Sequence, residues 1–233
     1  MRQPVHIVTL ALLFTVRHAC AAPSPSAVPV DLAAYHVPVF RNEYVTVFHI
    51  EIPGKHASDY HTHSEDEVTV TLTDYPPEAE LQKLGEPPTP SRAAHGGDVA
   101  YIAHFQNPVT HRTINPGTRS INVIATMLQS PRPYGFTAGV RNANGYTQIL
   151  DNDRVRGWRL VLSPGEATTP ITQSAPGFRI VIRGGDIVEL VPGRQERGEW
   201  LTAGEFAWQD PGVTRAVRNI GSTTIEIVEL EYK

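Results

Sequence analysis

Between residues 67 and 73 the chain alternates. Val68, Val70 and Leu72 are apolar, and Thr69, Thr71 and Thr73 are polar. A period of two puts the two sets on opposite faces of an extended strand. The runs 178–182 and 224–230 are similarly short and rich in β-branched residues, and they lie between Gly and Pro turns. The one helix-like stretch, 78–84, falls inside a proline-rich excursion over 75–97. The order of signals then repeats. Asn42-Glu43-Tyr44-Val45 leads to Pro53-Gly54, and Asn152-Asp153-Arg154-Val155 leads to Pro164-Gly165. Val109-Thr110-His111 runs on to Asn115, and Val213-Thr214-Arg215 runs on to Asn219. A repeat this long is a duplicated domain, not a solenoid of short units. The pattern predicts an all-β chain of two antiparallel sandwiches or small barrels, packed as an internal pseudo-dimer. The division falls at 31–142 and 143–233.

A length of 233 residues suits this division. The net charge of −4 excludes the basic footprint of a nucleic-acid-binding protein. The N-terminus changes the picture more. Arg2, the apolar run 7–16 and Ala19-Cys20-Ala21 read as an export signal over 1–21, followed by a Pro/Ser-rich flexible leader over 22–30. The run is too short to span a bilayer. Cleavage after Ala21 would give a secreted or periplasmic protein with no membrane anchor. It would also remove Cys20, the only cysteine, so the mature chain would have no disulfide.

Candidate chemistry is concentrated in the first half. His61 and His63, spaced i, i+2, project to one face of a strand, and an unbroken strand keeps Glu67 on that face. His111 comes from a second strand. Three imidazoles and a carboxylate converging inside a barrel suit a divalent transition ion. Glu65 and Asp66 are rival carboxylates, with Glu67 favoured. The same alternation points Thr69 and Thr71 inward, as hydroxyls beside the ion. Tyr60, Tyr101 and His104 lie within reach of the mouth, and each also has a purely structural reading. In the second half Ile171 and Gln173 fall near the histidine positions, Gly177 near Glu67, and Arg215 at that of His111. No histidine or cysteine follows His111, so a histidine-based centre is excluded there. Arg215 has three readings: an anion ligand, a side chain that snorkels to solvent, or an ion-pair partner. Trp158, Trp200 and Trp208 read as core or interface residues, and His56 and His95 as surface residues.

In full the pattern runs Gly54-x6-His61-x-His63-x3-Glu67, then His111-x3-Asn115. This resembles the two motifs of the cupin superfamily. Gly54 stands one residue further from the histidine pair than the motif has it, and Asp74 stands where its last glycine is expected. The resemblance covers nearly all of the mature chain and implies two tandem cupin barrels (double-stranded β-helices, or jelly rolls). It points to a secreted bicupin of the quercetinase-like dioxygenase type, with a metal site kept only in the N-terminal barrel. It implies one ion held by His61, His63, Glu67 and His111, with Glu67 as ligand, as catalytic base, or alternating between the two. The donor set does not distinguish Fe, Mn, Cu, Ni or Zn. The implied partners are a small oxygen-rich substrate and O2. Metal-dependent isomerases, lyases and hydrolases share the same ligands, and a binding or storage protein with a structural metal shares the fold.

Overall fold

The computed structural model describes residues 26–233, and the expected export signal lies outside them. The described chain folds into two successive β units, each of two sheets. In the first unit one sheet orders Val28–Pro29, His61–His63, Val109–Asn115, Glu80–Lys83 and Thr89–Pro90, with His56–Ala57 pairing onto Val109–Asn115. Its partner sheet orders His36–Arg41, Val45–Ile52, Ile121–Leu128, Glu67–Thr71 and Val99–Ile102. The second unit repeats the plan. Tyr146–Asp151, Val155–Leu162, Ile225–Tyr232, Gly177–Arg183 and Phe206–Gln209 form one sheet. Ile171–Thr172, Thr214–Asn219, Gly185–Leu190 and Arg197–Leu201 form the other. The all-β double-barrel arrangement expected from the alternation is the one observed.

The alternation also sets which face is buried where. Val45, Val47, Val68, Val70, Ile124 and Leu128 of the first barrel turn outward. They meet Val155, Phe178, Ile180, Val228, Leu230 and Tyr232 of the second in one shared core. Removing a large aliphatic side chain from water is worth roughly 1.5–3 kcal/mol, so a dozen such residues bind the two barrels firmly. Phe40 and Tyr44 stack on Trp208 across this junction, at 5.7 Å in each case. Trp158 is buried, in agreement with its reading as a core residue, whereas Trp200 is 65% exposed and belongs to no core.

Two expectations are corrected. The stretch 78–84 is not helical. Glu80–Lys83 is a strand paired antiparallel with residues 111–114, because the barrel offers it an unfilled edge that outweighs local helix propensity. The end of the flexible leader is also ordered. Val28–Pro29 pairs in parallel with His61–Thr62, and Val30–Leu32 forms a 3-10 turn. The expected leader over 22–30 is therefore anchored at its described end, directly beside the histidine strand.

Candidate metal centre

His61 and His111 face each other in register on adjacent antiparallel strands. Directly opposed residues in such a pair share a face, so both rings enter the barrel, and their centroids lie 4.9 Å apart. His63, two residues on, joins them, with centroids 4.9 Å from each. Gly54 enters this frame through a close approach. A Cβ there would lie 2.6 Å from the Thr118 carbonyl oxygen, so only glycine fits the turn ahead of the histidine strand.

Glu67 comes from the facing sheet. Its Oε2 lies 2.9 Å from His63 Nδ1, though out of line for a hydrogen bond, and 3.6 Å from His104 Nε2. The donor atoms form two overlapping triads, His61–His63–His111 and His63–Glu67–His104, with the members of each within 4.8 Å of one another. His63 is common to both. Within these limits Glu67 groups with His63 and His104, not with His61 and His111. Of the rival carboxylates, Asp66 points away and is held by Arg154 and Tyr101, and Glu65 meets the Ser64 hydroxyl.

Charge and hydrogen bonding fit a cation. His61 accepts nothing and donates from Nδ1 to the Asp59 carbonyl at 2.8 Å, which leaves Nε2 as a buried lone pair with no partner. That is how a protein orients an imidazole for a metal. His104 Nε2 is likewise buried and unpartnered. Burial, reinforced by neighbouring imidazoles, pushes His61 down to about 4 and His111 down to about 3. Both rings are then neutral near pH 7 and free to bind a metal ion. Burial works against the ionised form of Glu67, but the contact with His63, together with the nearby His104 and His111, outweighs it. Its carboxyl is therefore held below the usual range.

The site opens into a cavity of about 860 Å3. Thr69, Thr71 and Thr113 give it hydroxyls, while Ile50, Ile121 and Val123 give it apolar walls. Thr69 and Thr71 thus face inward, as the alternation predicts. Tyr101 and His104 line the cavity too, whereas Tyr60 packs under Arg112 and is not among its lining residues. Asp74, in the place of the motif's glycine, accepts the Gly96 N–H at 3.0 Å in an exposed turn. His56 and His95 are surface residues.

Two residues carry more of the site than their sequence signals suggest. His104 belongs to the second triad. His36 is buried, lines the cavity and lies 4.3 Å from the His61 ring, with Nδ1 at 3.0 Å from the Ala34 carbonyl. Neither belongs to a spaced motif. The one available hint for His36 was its place on the strand that repeats as Tyr146–Asp151.

In the second barrel Ile171 and Arg215 pair in the register of His61 and His111. Arg215 is buried and bonds Glu229 at 3.0 Å, which is the ion-pair reading. Arg141 enters from the connecting segment and bonds Glu229, Glu231 and Gln173, with its guanidinium 4.1 Å from the Trp158 ring. Among the described residues, no group of histidine or acidic side chains with metal-binding geometry lies in this barrel.

No family model matches the sequence, and no curated protein matches it. Solved structures do. AerE from Microcystis aeruginosa aligns with a TM-score of 0.55 at 11% identity, over 85% of this chain and 97% of that one. The cupin 2 conserved barrel domain protein of Leptotrichia buccalis gives 0.52 at 11%, over 85% and 88%. A mutant of salicylate 1,2-dioxygenase from Pseudoaminobacter salicylatoxidans, in complex with gentisate, gives 0.55 at 11%, over 81% and 69%. This chain has the cupin barrel fold. At such identities the likeness carries the architecture and leaves the chemistry to the site.

Proposed function

We propose that the protein is a metal-dependent cupin enzyme with one mononuclear centre in its first barrel, acting as an oxidoreductase of the dioxygenase type on a small oxygen-bearing molecule. The observation that carries this is the convergence of three imidazoles, His61 and His63 buried and His111 half-buried, with His61 Nε2 unpartnered, beside an open cavity that His63 and His111 line. His61, His63 and His111 would hold the ion. A divalent ion there supplies Lewis acidity and, if redox-active, a meeting point for substrate and O2. Glu67 stays ionised beside His63 and His104, placed to ligate or to take a proton from a bound hydroxyl. The threonine hydroxyls can orient oxygen atoms of the substrate, and the aliphatic walls exclude water from its body. The salicylate dioxygenase of the same fold binds a hydroxylated aromatic acid, so that class heads the screen.

The test is elemental analysis of native protein followed by O2 uptake with hydroxylated aromatic acids. About one ion per chain and metal-dependent uptake are expected. One ion without O2 dependence would move the reading to a non-redox isomerase, lyase or hydrolase, and a site with no ion would end it. We also propose export, with the mature chain starting near Ala22, which N-terminal sequencing of native material decides.

A further inference from the structure

Asp66 precedes Glu67, yet its side chain leaves the metal site. One oxygen accepts the Phe105 N–H at 3.0 Å. The other accepts the Tyr101 hydroxyl at 2.7 Å and Arg154 Nη1 at 2.6 Å. Arg154 belongs to the second barrel, one residue ahead of the strand Val155–Leu162, and its other prong bonds the Ser130 carbonyl. Arg154 and Asp66 are both 6% exposed, so the pair is buried and geometrically committed. On the first-barrel side Asp66 touches Tyr101 and Phe105, which flank one of the candidate donors. Tyr101 and Phe105 bracket His104, whose ring lies 4.8 Å from that of His63 and whose Nε2 faces Glu67. Asp66 and Glu67 are consecutive residues.

The link runs in one direction only. By the internal repeat Tyr44 stands where Arg154 stands, and Pro176 stands where Asp66 stands. The first barrel therefore sends no matching ion pair into the second. If the pair served only to join two repeats, either barrel could host it. It occurs at the barrel that carries the donors.

Resting on the metal reading above, we propose that Arg154 is a positioning residue of the metal centre. Through Asp66 it fixes the segment 101–105 and with it the place of His104 and Glu67. The second barrel then contributes to the site's geometry without supplying a donor.

The experiment uses the full chain, with Co2+ as the probe metal. Arg154→Gln keeps bulk and removes the charge. The expected result is a Co2+ Kd about ten- to a hundredfold weaker, the range typical when a ligand's outer support is lost. Amide hydrogen exchange over 99–107 in metal-free protein should be faster, and Arg154→Lys should recover part of both. Tyr101→Phe, which removes a single hydroxyl, should shift both readouts the same way by less, and it decides the matter if Arg154→Gln does not fold. Exchange and Co2+ Kd both within twofold of wild type in the folded variants would overturn the proposal, even with a lowered melting temperature. So would faster exchange with an unchanged Kd. If wild type takes up no Co2+, the metal reading fails, and the exchange arm alone still decides whether Arg154 holds this segment.

Discussion

The two barrels share a frame and differ in what fills it. Thr62 and Thr110 join their hydroxyls at 2.8 Å, and Thr172 and Thr214 do the same at the same distance. Asn115 donates to the carbonyls of Ile52 and Arg119, and Asn219 donates to those of Leu162 and Thr223. These residues tie strand ends, so both barrels need them. The interior positions are free to differ. His61 opposite His111 in one barrel is Ile171 opposite Arg215 in the other. His36 corresponds to Tyr146, which donates to Glu229 at 3.2 Å. The first interior leaves imidazole nitrogens unpartnered around a cavity, while the second pairs its carboxylates with guanidinium groups and leaves over guanidinium N–H donors, those of Arg141 and Arg215 among them. A polar barrel core is therefore no sign of a site in itself. The sign is polar atoms left without partners beside open space.

The sharpest way to break the comparison is to remove the plug of the second barrel. Arg141→Ala would leave Glu229 to Arg215 and Tyr146 and Glu231 to Ser174 alone, both buried carboxylates. Removing one member of a buried ion-pair network costs about 3–5 kcal/mol, read as a lower denaturant midpoint. Metal content per folded chain should not change. A loss under about 1 kcal/mol would show that the network does not stabilise this barrel.

The first barrel should respond in the opposite way. His61→Ala or His111→Ala should reduce bound metal from about one ion per chain to nearly none, by elemental analysis, with a smaller stability change. At a free metal concentration a hundredfold above Kd, binding adds about 2.7 kcal/mol to wild-type stability. A chelator should therefore lower the wild-type melting temperature and leave either variant unmoved. Equal chelator sensitivity would put the ion elsewhere.

Acid separates the barrels by a smaller effect. His61 and His111 are held neutral, at about 4 and about 3 respectively, whereas an unfolded histidine protonates near 6.5. Below 6.5 the unfolded chain binds more protons than the folded one, so metal-free protein loses stability as pH falls from about 6.5 toward about 4. The second half has no histidine and is silent in this window. The Glu229 carboxyl is opposed by burial but held below its ordinary range by Arg215 and Arg141, so its contribution is lost only at lower pH. Denaturant midpoints at pH 7 and pH 5 should differ less in a His61→Ala, His111→Ala protein than in wild type.

Much of this was legible in the chain. Strand alternation at Val68 and Val70, the Asn42 and Asn152 repeats and the His61-x-His63 spacing have short-range causes, and they led to the observed fold and to His61 and His63 as candidate ligands. The segment Glu80–Lys83 was misread because a four-residue strand with Leu81 as its one aliphatic carries little period, and its pairing partner is distant in sequence. His36 was not legible as a site residue because a chain crossover brings it to the cavity, and His104 was read only as within reach of the mouth, with its grouping with His63 and Glu67 set by the fold. Arg141 was hidden for the same reason. It lies in the connecting segment, yet its guanidinium sits in the core of the second barrel.

The finest probe tries to turn the second barrel into the first. Ile171→His with Arg215→His restores two imidazoles at positions in register with His61 and His111. The expected metal content is still about one ion per chain. The Arg141 guanidinium would remain paired with Glu229 and Glu231, and an incoming cation would have to displace a cation already satisfied there. A carboxylate in the place of Glu67 is barred as well, because a Cβ on Gly177 would fall 2.0 Å from the Leu230 carbonyl oxygen. That clash is with backbone, which cannot swing aside as a side chain can. A second ion in the double variant would mean that Arg141 leaves the core readily. The difference between the barrels would then rest on the two substituted residues alone, and not on how each interior is filled.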